Sequence, residues 1–199
     1  MTKHFRPKRS RYVTLTIMGA AAFALAGCKD DSQVDAQAFP DLASCEQAAG
    51  AGGEFTAEQC RTAFAQAQEL NVESAPRYDS LQVCEEEHGA GNCGSEEQAT
   101  GQQSSGGMGS IFMPLLAGYL IGNMLGGRGS AQPLYRNGQG GYTNADRSAT
   151  FSTNNGKAKL NQGLFKKPAS TIGKAPMTKA TAVSRGGFGS SATTRSFGG

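Results

Sequence analysis

Cysteine is the residue type with the clearest chemical potential in this chain of 199 residues. Beyond Cys28, which is considered below, the chain has four cysteines: Cys45, Cys60, Cys84 and Cys93. An even number of cysteines in an exported protein is typical of disulfides, and four thiols can pair in three ways. The alternative is a zinc site formed by all four thiolates, but the spacing C-x14-C-x23-C-x8-C lacks the close pairs of structural zinc sites. We therefore predict two disulfides and no metal.

An internal repeat favours one of the three pairings. Residues 39–52 align without gaps on residues 78–91, and an aromatic residue, Leu, Cys, Glu and two glycines coincide. If each copy closes on itself, the disulfides are Cys45–Cys60 and Cys84–Cys93. The longer of these two loops is then worth about 3 kcal/mol on the chain-entropy model.

His88 is the only histidine after Cys28, and it follows Glu85, Glu86 and Glu87. This run could suggest a cation site, but a histidine in the last helical turn before Gly89 is explained by its favourable interaction with the helix end. A Ser-His-Asp or Cys-His arrangement needs a positioned imidazole, and we expect His88 to lie in an exposed acidic turn. The sequence therefore predicts no catalytic residue and no cofactor, and we expect the chain not to be an enzyme.

The thiol of Cys28 is a candidate for acylation. Residues 1–27 contain five Lys/Arg followed by a run without charge, which is the pattern of a secretory signal peptide. The segment Leu25-Ala26-Gly27-Cys28 resembles the bacterial lipobox, in which the cysteine thiol receives diacylglycerol. The alternative is an ordinary secretion signal followed by a chance cysteine. We predict a lipoprotein signal peptide at 1–27 and a triacylated Cys28 carrying palmitate, because two or three acyl chains anchor a protein durably.

The residue after Cys28 predicts the location of the anchored protein. By resemblance to enterobacterial lipoproteins, an Asp at this position retains the protein in the inner membrane, whereas this chain has Lys29. We therefore predict a lipid-anchored protein of the bacterial cell envelope, at the periplasmic face of the outer membrane.

Charge is strongly segregated along the mature chain. Residues 28–100 carry 15 acidic and three basic residues, whereas residues 101–199 carry 11 basic residues and only Asp146. Residues 128–199 are rich in Gly, Ser, Thr and Asn without helical or alternating periodicity, which predicts a basic, low-complexity disordered tail. Its candidate partners are anionic envelope components or the protein's own acidic module. Nucleic acid is not expected as a partner, because an exported chain meets no routine RNA.

Helical signals dominate the acidic part of the chain. We predict a linker at 28–38, a duplicated acidic cysteine module of three short helices at 39–95, and a second linker at 96–110. Thr56 with Gln59 fits a capping box, and Asp79 with Gln82 fits a helix start. So small a module needs its disulfides, because its apolar content is low.

Residues 111–127 form the most apolar stretch of the mature chain. Gly118, Gly122 and Gly126 recur every four residues, so on a helix they form one stripe that a second helix can approach closely. The helix that Pro114 could open is about 21 Å long, short of the roughly 30 Å of a hydrocarbon core, so a simple transmembrane span is not favoured. We predict a glycine-striped helix that packs, self-associates or inserts shallowly into a membrane, with a loose linker as the alternative.

Four features together resemble the YgiB family of uncharacterised bacterial lipoproteins. They are the lipobox, the Cys-Glu repeat ending at Cys93, the apolar block at 112–122 and the late motif Arg185-Gly-Gly-Phe-Gly189. The resemblance covers nearly the whole mature chain. The family has no established activity, so the resemblance implies no catalytic or binding residue.

The predicted fold class is a small all-α disulfide-stapled module with a short glycine-striped helix, the remainder being largely disordered. The favoured function is a membrane-anchored lipoprotein with a structural or interaction role. The alternative is a periplasmic binding module that captures cations or polyamines through its acidic segment.

Overall fold

The structure is a computed structural model that describes residues 33–101, 110–123 and 129–184. These residues belong to one compact unit that begins at Gln33. The elements in chain order are β1 (Gln33–Phe39), α1 (Leu42–Gly50), α2 (Ala57–Ser74), α3 (Leu81–His88), β2 (Cys93–Ser95), α4 (Glu96–Thr100), β3 (Phe112–Pro114), β4 (Leu116–Asn123), β5 (Gly129–Arg136), β6 (Tyr142–Thr143), β7 (Thr150–Phe151), β8 (Gly156–Asn161), the 3-10 helix Gln162–Phe165 and α5 (Lys179–Ser184).

Six strands form one antiparallel sheet in the order β7-β6-β5-β4-β1-β8, which curls into a half-barrel. Strand β1 lies inside the sheet, with a neighbour on each side. It pairs with β4, where Phe39 is opposite Tyr119, and with β8, where Asp35 is opposite Lys159. Strands β2 and β3 form a separate two-stranded sheet. The sheet therefore pairs the first described strand with β8, whose residues lie more than 115 positions later in the chain.

The predicted all-α fold is wrong, and the apolar segment shows why. Residues 116–123 form strand β4, in which Tyr119 and Ile121 face one side while Leu120 faces the other. A spacing of four residues is about one helical turn but also two strand repeats, so Gly118 and Gly122 share a face in either structure. The glycine spacing thus fitted both structures. Among the described helices, none is long and apolar enough to cross a membrane.

The predicted disorder of residues 128–199 is also wrong where the structure describes them. Residues 129–184 contain β5 to β8, the 3-10 helix and α5. Strand β5 lies inside the sheet, between β4 and β6, and buries Ala131, Leu134 and Tyr135. A composition low in apolar residues is ordered here because it completes a sheet begun by residues far earlier in the chain.

Helices α1, α2 and α3 occupy the predicted cysteine module. The Thr56 hydroxyl accepts a hydrogen bond from Gln59 N and the Gln59 side chain accepts one from Thr56 N, so the predicted capping box at the start of α2 is confirmed. Helix α3 is capped by Ser80 rather than by Asp79, and it ends at Gly89, where φ is 87°. The linker predicted at 28–38 differs from the structure, since β1 begins at Gln33.

The two faces of the sheet are covered differently. On one face, Phe39, Tyr119, Ile121 and Ala131 pack with residues of α1 and α2. The opposite face carries small residues of β1 together with Leu120 and Leu134, and Phe165 of the 3-10 helix covers part of it. The second face is the inner face of the half-barrel, because it contacts residues of both edge strands, Phe151 of β7 and Leu160 of β8.

Candidate functional site

Both predicted disulfides are present in the structure. Cys45 of α1 is bonded to Cys60 of α2, and Cys84 of α3 is bonded to Cys93 of β2. These are the pairs that the repeat favoured. The zinc alternative is wrong, because all four sulfurs are occupied by disulfide bonds. Cys28, the predicted acylation site, lies outside the described residues.

His88 lies in the core rather than in an exposed turn. Its side chain sits between Tyr78 and Tyr135, and only 1% of the residue is exposed. Its Nδ1 lies 2.6 Å from the carbonyl oxygen of Arg136, which can only accept a hydrogen bond, so Nδ1 carries the proton. Its Nε2 then accepts from the Tyr78 hydroxyl at 2.9 Å. Burial lowers the pKa of His88 to about 4, and the ring is neutral at pH 7.

The Tyr78 hydroxyl links His88 to a buried ion pair. It accepts a hydrogen bond from Arg147 Nη2 at 2.6 Å, and Arg147 Nη1 lies 2.8 Å from a carboxylate oxygen of Glu87. Burial raises the pKa of Tyr78 to about 12, so the hydroxyl keeps its proton. It donates a hydrogen bond to His88 Nε2. We call Tyr78, Glu87, His88 and Arg147 the Tyr78 network.

The Tyr78 network has the composition of a catalytic site but not its accessibility. The residues come from α3, from the strand-like segment at Tyr78 and from the turn at Arg147, where φ is 59°. Tyr78, Glu87 and His88 are each at most 3% exposed. With both imidazole nitrogens engaged inside the core, His88 presents neither nitrogen at the surface, and the arrangement can hold α3 against the turn at Arg147.

The buried Arg77 joins the cysteine module to residues 171–177. Arg77 Nη2 lies 2.9 Å from Glu96, and the Arg77 guanidinium also contacts the hydroxyl of Thr171. The Arg77 carbonyl accepts a hydrogen bond from Met177 N at 2.7 Å. Residues 171–177 therefore lie against the cysteine module along Arg77.

Surface charges of the basic part are also paired with the acidic part. Four lysines contact carboxylates at 2.7 to 2.9 Å, in the pairs Lys157–Glu54, Lys159–Asp35, Lys167–Glu73 and Lys179–Glu86. Each lysine side chain is 59 to 69% exposed, so the attraction within each pair is weak and screened by solvent. The basic and acidic parts of the described chain therefore contact each other through surface ion pairs.

Gly118 and Gly122, which were predicted to pack against a second helix, instead allow close contacts between β4 and its neighbours in the same domain. A Cβ at Gly122 would lie 2.7 Å from the ring of Phe165, and one at Gly118 would lie 2.8 Å from the carbonyl oxygen of Phe39. Gly118 also has a φ of 149°, which disfavours other residues. The predicted helix face is therefore wrong, and the close approach that these glycines allow is within one domain. Gly126 lies outside the described residues.

The inner face of the half-barrel contains a cavity of about 310 Å³. Its apolar lining comes from β1, β4, β7 and β8 and consists of Ala36, Ala38, Leu120, Phe151, Ala158 and Leu160. The segment that joins the edge strands β7 and β8 adds neutral polar residues, among them Ser152, Thr153 and Asn155. This cavity is the candidate ligand site of the described residues.

Sequence reasoning missed the Tyr78 network and the cavity. The repeat did carry one signal, since Phe39 and Tyr78 are equivalent positions and are 2% and 0% exposed. The residue equivalent to His88 in the first copy is Ala49, so the repeat alone does not indicate a buried histidine. The cavity lining comes from residues between 36 and 160, which no local pattern connects.

Comparisons with known proteins agree over most of the chain. A family described as "Protein of unknown function (DUF1190)" matches residues 33–199. A UPF0441 protein of Sodalis glossinidius is 33% identical, covering 94% of this chain and 84% of the relative. One of Erwinia tasmaniensis is 32% identical (92% and 82%), and one of Yersinia pestis is 31% identical (98% and 86%). No solved structure matches the chain. The chain therefore belongs to the UPF0441 family of uncharacterised bacterial proteins, which corresponds to the YgiB family that its motifs resemble.

Proposed function

We propose that the protein is a lipoprotein of the bacterial cell envelope, anchored through Cys28, with a structural or interaction role rather than an enzymatic one. The lipobox at 25–28 supports the anchor. Cleavage before Cys28 would leave all described residues in the mature chain, because β1 begins at Gln33. Only residues 29–32 separate Cys28 from the sheet, so the span from Cys28 to Gln33 is roughly 18 Å at most when extended. An anchored domain would thus stay close to the membrane surface.

The burial of His88 carries the proposal of a non-enzymatic role. It is the only histidine after Cys28, it is 1% exposed, and both ring nitrogens have partners in the core. A general base must come within hydrogen-bond reach of the proton that it abstracts. The described cysteines are in disulfides and provide no nucleophile.

The alternative of cation or polyamine capture receives less support. It requires acidic side chains that are available to a ligand, whereas Asp35, Glu54, Glu73 and Glu86 already contact lysines of the same chain. A polyamine would compete with these lysines at exposed pairs, where attraction is weak and screened by salt. We therefore favour the structural or interaction role.

Metabolic labelling tests the anchor. Cells that produce the full precursor are grown with labelled palmitate, and membranes are fractionated. We expect the wild type and the control Lys29→Ala to be labelled and membrane-bound, whereas Cys28→Ser should be unlabelled and uncleaved, because the thiol is the acylation nucleophile. A labelled Cys28→Ser protein, or a soluble and normally cleaved one, would contradict the proposal.

Sorting is tested with the residue after the cysteine. We expect Lys29→Asp to move the labelled protein from outer-membrane to inner-membrane fractions, with Lys29→Ala again as the control. Wild-type protein in the inner membrane would overturn the outer-membrane location while leaving the anchor intact.

A further inference from the structure

On the inner face of the half-barrel, three of the residues beside the cavity are alanines. The corresponding part of the outer face carries large aromatic residues. Ala36, Ala38 and Ala158 stand beside the cavity, whereas Phe39 and Tyr119 fill the helix-covered face. Small barrels and curled sheets usually fill their interior with side chains. The alanines leave about 310 Å³ open, which falls within the range of small-molecule sites.

The two edge strands form the entrance to this space. Strands β7 and β8 lie at opposite edges of the sheet, yet Phe151 of β7 and Leu160 of β8 both line the cavity. The cavity is therefore open along the gap where the half-barrel does not close. Residues 152–155, which join the two edge strands at this opening, are exposed or half-buried.

The chemistry of the lining selects an uncharged, apolar group. The floor is aliphatic and aromatic, the polar residues at the entrance, Ser152, Thr153 and Asn155, are neutral, and Lys157 is the one charged residue of the described lining. Lys157 and Lys159 alternate with Ala158 and therefore project toward the other face of the sheet. There their ammonium groups lie 2.9 Å from Glu54 and 2.7 Å from Asp35. Lys157 is the charged residue of the lining, and its ammonium is thus paired with Glu54 rather than turned toward the cavity.

We propose that this cavity binds one alkyl chain of a single-chain amphiphile, with the polar head of the ligand at the neutral entrance. At roughly 30 Å³ for a group of the size of a water molecule or a methylene, the volume accepts about ten carbons. The class of ligand follows from the cavity, and its source, the lipids of the envelope, rests on the proposed function. Residues 29–32 would hold β1, which carries Ala36 and Ala38, near those lipids.

The first test is calorimetric titration of the mature full chain, residues 28–199. This chain carries Cys28→Ser, so that no acyl chain of its own competes and the result does not depend on lipidation. Fatty alcohols and fatty acids of six to sixteen carbons are added below their critical micelle concentrations. We expect saturable 1:1 binding that tightens about fourfold per methylene up to about ten to twelve carbons and then levels off.

Two outcomes of this titration would overturn the proposal. One is the absence of saturable binding at every chain length. The other is a more than tenfold preference for dodecanoate over dodecanol, since a neutral entrance predicts affinities within about threefold. A failure of the lipoprotein assignment would appear only in the palmitate labelling.

Variants then locate the ligand. Ala158 is exposed and lines the cavity, so Ala158→Leu narrows the cavity with little disturbance of the fold, and we expect about tenfold weaker binding of dodecanol. Ala169→Leu is the matched control, because Ala169 is also exposed but lies outside the lining, and the affinity of this variant for dodecanol should stay within twofold of the wild type.

Phe151→Ala enlarges the cavity. The chain length at which affinity levels off should therefore increase in this variant. Equal affinities for Ala158→Leu and the wild type, or an unchanged plateau in Phe151→Ala, would overturn the assignment.

Discussion

At the scale of single residues, burial determines what His88 does. An imidazole at a solvent-exposed helix end is charged or neutral according to pH, whereas His88 is enclosed by two tyrosine rings and hydrogen-bonded on both nitrogens. Its pKa of about 4 reflects first the loss of hydration in the core, while the Arg136 carbonyl opposes this shift. The neutral ring serves as a fixed connector between α3 and β5.

The depressed pKa of His88 predicts acid sensitivity. The unfolded state binds the proton with an ordinary pKa of 6.5 and the folded state with a pKa of about 4, so the free energy of unfolding falls as pH drops from 6.5 toward 4. The loss between pH 6.5 and 5 is about 2 kcal/mol. Urea unfolding at a series of pH values measures it. His88→Gln should flatten the profile in this window, and an identical slope in both proteins would contradict the assigned pKa.

The ion pair within the Tyr78 network predicts a large effect of a small change. Glu87→Gln keeps the shape of the side chain but leaves the buried Arg147 guanidinium without its carboxylate, so we expect a loss of about 3 kcal/mol in the free energy of unfolding. Asp35→Asn is the matched control, because it breaks an exposed lysine pair, and it should cost less than 1 kcal/mol. Denaturant titrations measure the free energy of unfolding of both variants. Equal losses in Glu87→Gln and Asp35→Asn would contradict the assigned ion pair.

At the scale of elements, the glycines at 118 and 122 allow close packing against strand β4 rather than against the face of a helix. Gly122 lies beneath the ring of Phe165, so the 3-10 helix can approach the sheet directly. Helix α2 keeps its predicted start because the capping box is a local contact, three residues long. The strand, in contrast, also depends on its neighbour β1, which lies far earlier in the sequence.

Gly122→Ala should destabilise the protein by about 1 to 3 kcal/mol, because the new Cβ would overlap the buried Phe165 ring. The control is Gly50→Ala at the end of α1, where nothing lies within 4 Å of the added Cβ, so its effect should be neutral or slightly stabilising. Thermal unfolding compares the two. Combining Gly122→Ala with Phe165→Leu should recover part of the loss. The absence of such coupling would mean that this contact is not formed.

At the scale of the whole molecule, the basic second part completes the fold of the acidic first part. Residues 33–101 have 13 acidic and two basic residues, and residues 129–184 have eight basic and one acidic. The pairing of β1 with β8 brings Asp35 and Lys159 together across 124 positions. Charge segregation along the chain therefore becomes charge pairing across the fold.

Truncation tests this dependence. A mature chain that ends at residue 128 loses β5 and β8, the neighbours of β4 and β1, so we expect no cooperative unfolding transition and rapid proteolysis. A chain that ends at residue 184 retains every described element and should unfold like the full chain. Circular dichroism during urea titration measures both. A stable, cooperative 28–128 fragment would restore the view of an independent helical module.

The sequence by itself determined the features that depend on near neighbours. The repeat indicated the pairs Cys45–Cys60 and Cys84–Cys93, and the capping residues indicated the start of α2, because each involves contacts within a short loop or a single turn. The motifs also indicated the family. Such signals are readable because the interacting residues are close in sequence.

Only the tertiary structure decided whether Gly118 and Gly122 lie in a strand, whether residues 129–184 are ordered, and whether His88 is exposed. The glycine spacing fits a helix and a strand equally, and the tail is ordered by strands that pair with residues up to 128 positions away, as in Gln33 opposite Asn161. The His88 ring contacts the Tyr135 ring and the Arg136 carbonyl, which no pattern near His88 specifies. The physical reason is that pairing and burial free energies arise between distant segments, so composition within one segment does not report them.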